Sequence, residues 1–425
     1  MSISSLPLHK CSLSLEHGRL INLLAKEANL LIIQDLDGVC MGLVKDPLTR
    51  VIDTKYVEST QAFEGHFYVL TNGEHIGKRG VNLIIERAYN NANLVKEKGL
   101  YLPGLAGGGV QWQDRHGNVF HPGVSEEELN FLEAVPQQIE TGLKQFFSED
   151  NYGLDNNTIQ ECIQAAVLDN KVSPTANLNV FHDVFIEQEY SYLKLQEFMK
   201  QLLDSLLNKA KQQGLQDSFF VHYAPNLGKD EKGQEIMQLA KGKDSGTTDF
   251  QFMLRGAIKE VGVLAILNRY YYQQTGKYPL GEDFSVRKAP RNHQEILSLV
   301  KDNFAPSQMP TMIGVGDTVT SKAVENGGKL SFGRGGSDRG FLELIQEIGK
   351  EFKTGNIIVY IDSSAGEVKN RKSLKLEQNN HETYVIEGPG DPRDKDDPLT
   401  LNIAFPGGYQ QYINCFQEAA KRRES

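Results

Sequence analysis

Asp35 and Asp37 close the apolar run "LLIIQDLDGV" with one leucine between them and Gly38 directly after. If the run is extended, residues i and i+2 point the same way, so both carboxylates face one pocket. Two such carboxylates repel, and the repulsion is relieved if one takes a proton or both share a cation. A donor set made only of oxygens selects a hard ion such as Mg2+. One carboxylate can then attack phosphorus while the other carries the proton of the leaving alkoxide. Most of the acceleration in such a site comes from placement and from neutralising phosphoryl charge.

That chemistry needs further parts, and the chain offers them. "YVLTNG" supplies Thr71 and Asn72, a hydroxyl and an amide for phosphoryl oxygens. "FMLRGAIKEVGVLAILNRYY" supplies Arg255 and Lys259 as cations just before an apolar helix. "GVGDTVTS" supplies Asp317 as a third carboxylate.

The elements that must hold these residues are short buried strands. "LLIIQ" (30–34), "HFYVLT" (66–71), "SFFVHY" (218–223), "TMIGVG" (311–316) and "NIIVYID" (356–362) alternate with helical patterns, which predicts an α/β fold with a parallel sheet. Such sheets bind ligands at the carboxyl ends of their strands, and three of these runs end on the residues named above. From about 125 to 215 the texture turns helical, with a break expected at Pro136. Leu195, Phe198, Met199, Leu202, Leu203 and Leu206 follow one helix face and read as core. The expected division is a core of residues 1–99 and 246–425 with a large cap inserted at 100–245. A net charge of −10 argues against general attraction to nucleic acid or an anionic membrane. No apolar run is long enough to span a bilayer. Four scattered cysteines without C-x-x-C spacing read as reduced thiols in a cytoplasmic protein.

Taken in order, "DLDGV", "LTNG", a lysine opening a helix and "GVGDT" resemble the four motifs of the haloacid dehalogenase-like phosphatases. The resemblance implies a Rossmann-like parallel-sheet core with an inserted α+β cap. It also implies Asp35 as nucleophile, Asp37 as general acid/base, Thr71 and Lys259 as phosphate binders, and Mg2+ held by acidic residues. More narrowly, "QDLDGVCM", "SPTANLN", "DSGTTDFQFMLRG", "GVGDTVTS", "GGSDR" and "AFPGG" resemble the cyanobacterial glucosylglycerol-phosphate phosphatases nearly end to end. That likeness implies hydrolysis of glucosylglycerol 3-phosphate to glucosylglycerol, a compatible solute made under salt stress. It leaves open an association with the synthase that makes the phosphorylated precursor. Trehalose- or sucrose-type phosphates, and sugar binding without catalysis, are the alternatives.

The chain departs from the superfamily pattern in two places. Val39 stands where threonine is usual after the first motif, and "DTVTSK" lacks the usual second acidic residue. Asp338 of "GGSDR" is the candidate for that carboxylate, with Thr318 or Ser321 as substitutes, so the expected metal set is Asp35, Asp37, Asp317 and Asp338. Lys322 joins Arg255 as a rival to Lys259. Sugar sites combine planar rings with polar groups. The substrate-binding candidates are therefore Glu74 and His75, then the single tryptophan Trp112 with Arg115, then His222 and Asn226.

Overall fold

The computed structural model describes residues 6–44, 47–150, 152–224, 235–242, 244–367, 371–379, 382–390 and 394–425. The chain forms two compact units: residues 1–75, 81–123 and 258–425 make the first, and residues 76–80 and 124–257 the second.

The first unit is built on an eight-stranded sheet. Its order is Ile403–Phe405, Ile357–Ile361, Thr311–Gly316, Leu30–Gln34, Phe67–Leu70, Gly104–Ala106, Gln111–Gln113, Val119–Phe120. The first six strands run parallel, and the last two turn back antiparallel. Every residue of Leu30–Gln34 is buried, which is why that run reads as continuously apolar rather than alternating. Register does the positioning. Gln34 pairs with Val315 on one side and Val69 on the other, so Asp35 emerges level with Gly316, and Asp317 and Thr71 follow at the same sheet edge.

Both faces of the sheet are covered. Phe416 of the Gly408–Arg423 helix packs its ring against Phe63 and Phe67. On the opposite face, a Cβ added at Gly314 would lie 2.9 Å from Leu342 of the Arg339–Phe352 helix, and one at Gly262 of the Lys259–Thr275 helix 2.4 Å from Leu70. These glycines let the two helices that matter most for the site lie close on the strands. "KRR" at 421–423 ends the Gly408–Arg423 helix, where Arg423 donates to the carbonyls of Leu24 and Glu27.

The second unit has a four-stranded antiparallel sheet in the order Val167–Leu168, Thr175–Asn177, Asp249–Leu254, Phe219–Ala224. Its helices include Glu126–Glu149 and Glu189–Gln212. The break expected at Pro136 does not occur. A single helix runs through the proline, started by a capping box from Ser125 and Glu128 and held by buried Phe131, Leu132, Val135, Ile139 and Leu143. Packing on both sides offsets the roughly 3 kcal/mol an interior proline costs. The helical stripe at 195–206 buries Leu195, Met199, Leu203 and Leu206 and leaves Phe198 and Leu202 half-buried.

The inserted segment starts later and ends later than the sequence suggests. Residues 100–123 belong to the first unit because Gly104–Ala106 extends the main sheet beside Val69 and Leu70. Residues 246–257 belong to the second because Asp249–Leu254 is the inner strand of its sheet. The glycine-rich stretch 324–337 is largely hairpin, formed by Thr320–Asn326 and Lys329–Arg334.

Candidate active site

Asp35, Asp317 and Asp338 converge at the carboxyl edge of the parallel strands. All three are buried, and one carboxylate oxygen from each lies within 4.8 Å of the others. Lys259, the first residue of its helix, reaches into the cluster with Nζ 3.0 Å from Asp35 Oδ1 and 2.6 Å from Asp338 Oδ1. Asp338 arrives through the chain reversal of the 320–334 hairpin. Its Oδ2 accepts from the backbone amides of Asp317 and Thr318, both at 2.9 Å. The gap in "DTVTSK" is therefore bridged in space by an aspartate well downstream. The side chains of Ser321 and Lys322 lie outside the described residues, and Arg255 belongs to the second unit.

Two glycines keep this cluster tight. Gly38 has φ +77°, and a Cβ there would sit 2.3 Å from Asp317 Oδ2. A Cβ at Gly316 would meet the Asp338 carboxyl group at 2.8 Å. The glycine after the first motif thus makes room for the carboxylate of the last. Val39, in the place of the usual threonine, is fully buried in the core.

Among the described residues, the three buried carboxylates face Lys259 and Arg371. Arg371 Nε lies 3.3 Å from Asp317 Oδ2, and its Nη2 donates to Thr318 Oγ1 at 2.6 Å. That hydroxyl in turn donates to Asp317 Oδ1 at 2.9 Å. With all three ionised, the cluster stays one positive charge short of neutral. Burial, then the charge of Asp338, pushes Asp35 well above the carboxylate range despite Lys259. Burial and Asp338 likewise push Asp317 up to about 7, against the pull of Arg371. Asp338 goes the other way: burial would raise it, but Lys259 and the two backbone amides hold it below its usual value. Asp35 Oδ1 and Asp317 Oδ2 are buried and met by the Lys259 and Arg371 cations. An excess of oxygen ligands and negative charge in a dry site fits a divalent hard cation.

Asp37 does not join that cluster, contrary to the expected metal set. The chain turns at Gly38 rather than staying extended, and Asp37 Oδ2 pairs with Arg50 at 3.1 Å. Its carboxylate is partly exposed, whereas Asp35 is buried. Thr71 is buried at the end of its strand and its Oγ1 accepts from Gly73 N, while Asn72 is exposed. Cys40 is buried, and burial followed by the charges of Asp37 and Asp35 pushes its thiol far up, which suits an inert filler.

Most of the substrate-binding candidates are engaged elsewhere. His75 is fully buried, its backbone amide donating to Gln111 and its ring 3.1 Å from Gly104 O. Burial lowers its pKa to about 4. Glu74 accepts from Gln111 Nε2 at 3.3 Å. Together these bonds strap the loop after Thr71 to the sheet. Trp112 packs on Tyr68 and Phe120, with the Arg269 guanidinium 4.2 Å from its ring centroid. Arg115 donates to Thr60 Oγ1 and O and pairs with Glu64. Trp112 and Arg115 thus pack and brace the first unit. His222, half-buried on the Phe219–Ala224 strand of the second unit, lies 2.9 Å from Glu235. Asn226 lies outside the described residues.

Sequence reasoning missed Arg50 and Arg371. Neither sits in a motif, and Arg371 follows Thr318 by 53 residues. Its loop is brought back by Asp362, which accepts from Ser364 N at 3.0 Å and Leu374 N at 2.8 Å.

A parallel α/β sheet, interrupted by a separate unit and bearing an aspartate–lysine cluster at its carboxyl edge, defines the haloacid dehalogenase type of fold. A family model described as glucosylglycerol-phosphate phosphatase matches residues 29–420. The glucosylglycerol-phosphate phosphatase of Synechocystis sp. is 58% identical over 416 residues, covering 98% of each chain. The chain belongs to the glucosylglycerol-phosphate phosphatase family. Among solved structures, the trehalose-6-phosphate phosphatase C-terminal domain of C. albicans aligns over 97% of this chain and 99% of its own, at 11% identity and a TM-score of 0.43. The C-terminal domain of the Candida albicans trehalose synthase regulatory protein aligns over 96% and 99%, at 10% identity and the same TM-score. At that score these two likenesses carry no functional weight. Among the described residues, no helix is long and apolar enough to cross a membrane.

Proposed function

We propose that this chain hydrolyses glucosylglycerol 3-phosphate to glucosylglycerol and inorganic phosphate, with Mg2+ as cofactor and a phosphorylated Asp35 as intermediate. The observation that carries the reading is the buried Asp35–Lys259–Asp338–Asp317 cluster in a chain of this family. Asp35, Asp317 and Asp338 would hold the ion, which when bound neutralises carboxylate and phosphoryl charge.

Asp35 attacks phosphorus with one carboxylate oxygen, and the bond from phosphorus to the glycerol oxygen breaks. The leaving oxygen takes a proton from Asp37, which stands outside the carboxylate cluster beside Arg50. A water molecule then gives a proton back to Asp37 and attacks the phosphoryl group, releasing phosphate and restoring Asp35. Lys259 and the Thr71 hydroxyl offset and orient the phosphoryl oxygens, with Asn72 at the open rim.

We assign the reaction to compatible-solute synthesis under salt stress in the cytoplasm, next to the synthase that supplies the phosphate ester. Phosphate release from glucosylglycerol phosphate, glycerol 3-phosphate, trehalose 6-phosphate and sucrose 6-phosphate tests the assignment. The first should be turned over at least tenfold better in kcat/KM than the others. Equal or better turnover of a disaccharide phosphate would overturn it.

A further inference from the structure

The two helices that carry the Lys259–Asp338 ion pair begin without side-chain caps. Lys259 is the first residue of Lys259–Thr275, and its N-cap, Ile258, has no side-chain acceptor. Asp338 is the N-cap of Arg339–Phe352, but its carboxylate serves Lys259 and the amides of Asp317 and Thr318 instead of its own helix. A third helix, His293–Asn303, is capped, with Asn292 accepting from the amides of Gln294 and Glu295. Its first residue touches both of the others. His293 Nδ1 contacts Glu260, the neighbour of Lys259, and its Nε2 lies 2.6 Å from Glu347 Oε2 on the Asp338 helix.

We propose that His293 is a positioning residue for the phosphoryl-transfer site: shared between Glu260 and Glu347, it fixes the spacing of the helix heads that present Lys259 and Asp338. This rests on that ion pair working as in the reaction proposed above. Both ring nitrogens face carboxylates, and a neutral imidazole has one N–H to give, so only the charged ring donates to both. The surroundings favour that charge. Glu260 faces the ring from one helix and Glu347 from the other, while the charge of Glu343 acts on Glu260. The nearby cations are engaged: Arg339 pairs with Glu343 and Asp397, and Lys301 with Glu351. Burial would lower the His293 pKa, but the bonds and charges of Glu347 and Glu260 outweigh it and hold it above its ordinary value. The helix heads themselves touch. A Cβ at Gly340, two residues past Asp338, would lie 3.1 Å from Glu260 Oε2. A displacement of Glu260 is therefore felt at both ends of the Lys259–Asp338 pair.

A histidine whose pKa is raised by folding contributes stability in full below its unfolded value of about 6.5, and loses it as pH climbs through the folded value. The test compares wild type, His293→Gln and Glu347→Gln by phosphate release from glucosylglycerol phosphate and by thermal midpoint from pH 5.5 to 9. His293→Gln should lower kcat roughly threefold to tenfold with KM within about twofold, the signature of a misplaced reacting group. Wild-type kcat should decline on the alkaline side in a limb that His293→Gln lacks. The gap in midpoint between the two should be widest at the acid end and close as pH rises. Glu347→Gln keeps an acceptor but removes a charge, and should move the alkaline limb to lower pH. Wild-type kcat and pH profile in His293→Gln, or a midpoint gap independent of pH, would overturn the proposal. If His293→Gln does not fold, an unmoved limb in Glu347→Gln overturns it. Failure of wild type to release phosphate would defeat the proposed function instead, and the midpoint gap, which needs no turnover, would still decide the role of His293.

Discussion

Replacing Lys259 with Met keeps the length of the side chain and removes its charge. In the native site the ammonium is buried and shared, 3.0 Å from Asp35 Oδ1 and 2.6 Å from Asp338 Oδ1. Its loss strands two carboxylates next to a third. Breaking a buried pair by removing one partner costs about 3–5 kcal/mol. For a unit of this size that corresponds to a drop of roughly 5–8 °C in thermal midpoint. The loss has a direction in pH. Burial alone would raise Asp338, and it is Lys259 that holds it low. A depressed carboxylate contributes stability above its unfolded pKa of about 3.9 and loses it as pH falls through the folded value. The gap between wild type and Lys259→Met should therefore be widest near pH 7 and shrink toward pH 4. Catalysis should suffer more than stability, since Asp35, already pushed up by burial and Asp338, loses the cation that opposes its protonation and offsets phosphoryl charge. Loss of one preorganised charge partner costs roughly 10²–10³ in kcat. Thermal melts across pH and a phosphate-release assay check both. Activity within tenfold of wild type, together with a midpoint within about 2 °C, would refute the reasoning.

Gly38→Ala should strain the backbone by about 1–2 kcal/mol at φ +77° and drive the new Cβ into Asp317. Activity should fall at least tenfold and the Mg2+ concentration for half-maximal rate should rise, as read from a metal titration of phosphate release. Without metal, Asp317 is pushed up to about 7, mainly by burial, so the fold holds a proton that the unfolded chain releases. Metal-free protein should lose stability as pH rises from about 4 to 7. The midpoint increase on adding Mg2+ should grow over the same window, which calorimetry with and without EDTA would show. Arg115→Met removes the brace to Thr60 and Glu64 and should cost about 2 kcal/mol of stability. KM for the sugar phosphate should not change in that variant, and a raised KM would return Arg115 to the substrate site.

What the sequence makes legible here follows from local physics. "LLIIQ" and "TMIGVG" form strands over the expected residues, Leu30–Gln34 and Thr311–Gly316, because buried parallel strands are apolar on both faces. Asp35, Thr71, Lys259 and Asp317 stand at element ends, where a break in apolar pattern exposes them to a reader. The rest depends on long-range return of the chain. Asp338 rejoins Asp317 only after a hairpin, and Arg371 only after a further helix, strand and loop. Nothing local in "KNRKS" distinguishes Arg371 from its neighbouring lysines. Trp112 and Arg115 show how residue type leaves the surroundings unread. Their types suit a sugar, but the antiparallel strand Gln111–Gln113 turns Trp112 onto Tyr68 and the chain beyond it carries Arg115 to Thr60. Asp37 misleads for a third reason: the i, i+2 rule holds only for extended chain, and Gly38 ends the extension.

The most direct test of the account is where phosphate sits on the enzyme during turnover. Wild type and Asp35→Asn are each mixed with glucosylglycerol phosphate and Mg2+, quenched in acid within milliseconds, and digested for mass spectrometry. The expected result is phosphate on the Asp35 peptide of wild type, formed and discharged at rates that match phosphate release, and neither label nor turnover in Asp35→Asn. Phosphate on another residue, or release at the wild-type rate from Asp35→Asn, would contradict it.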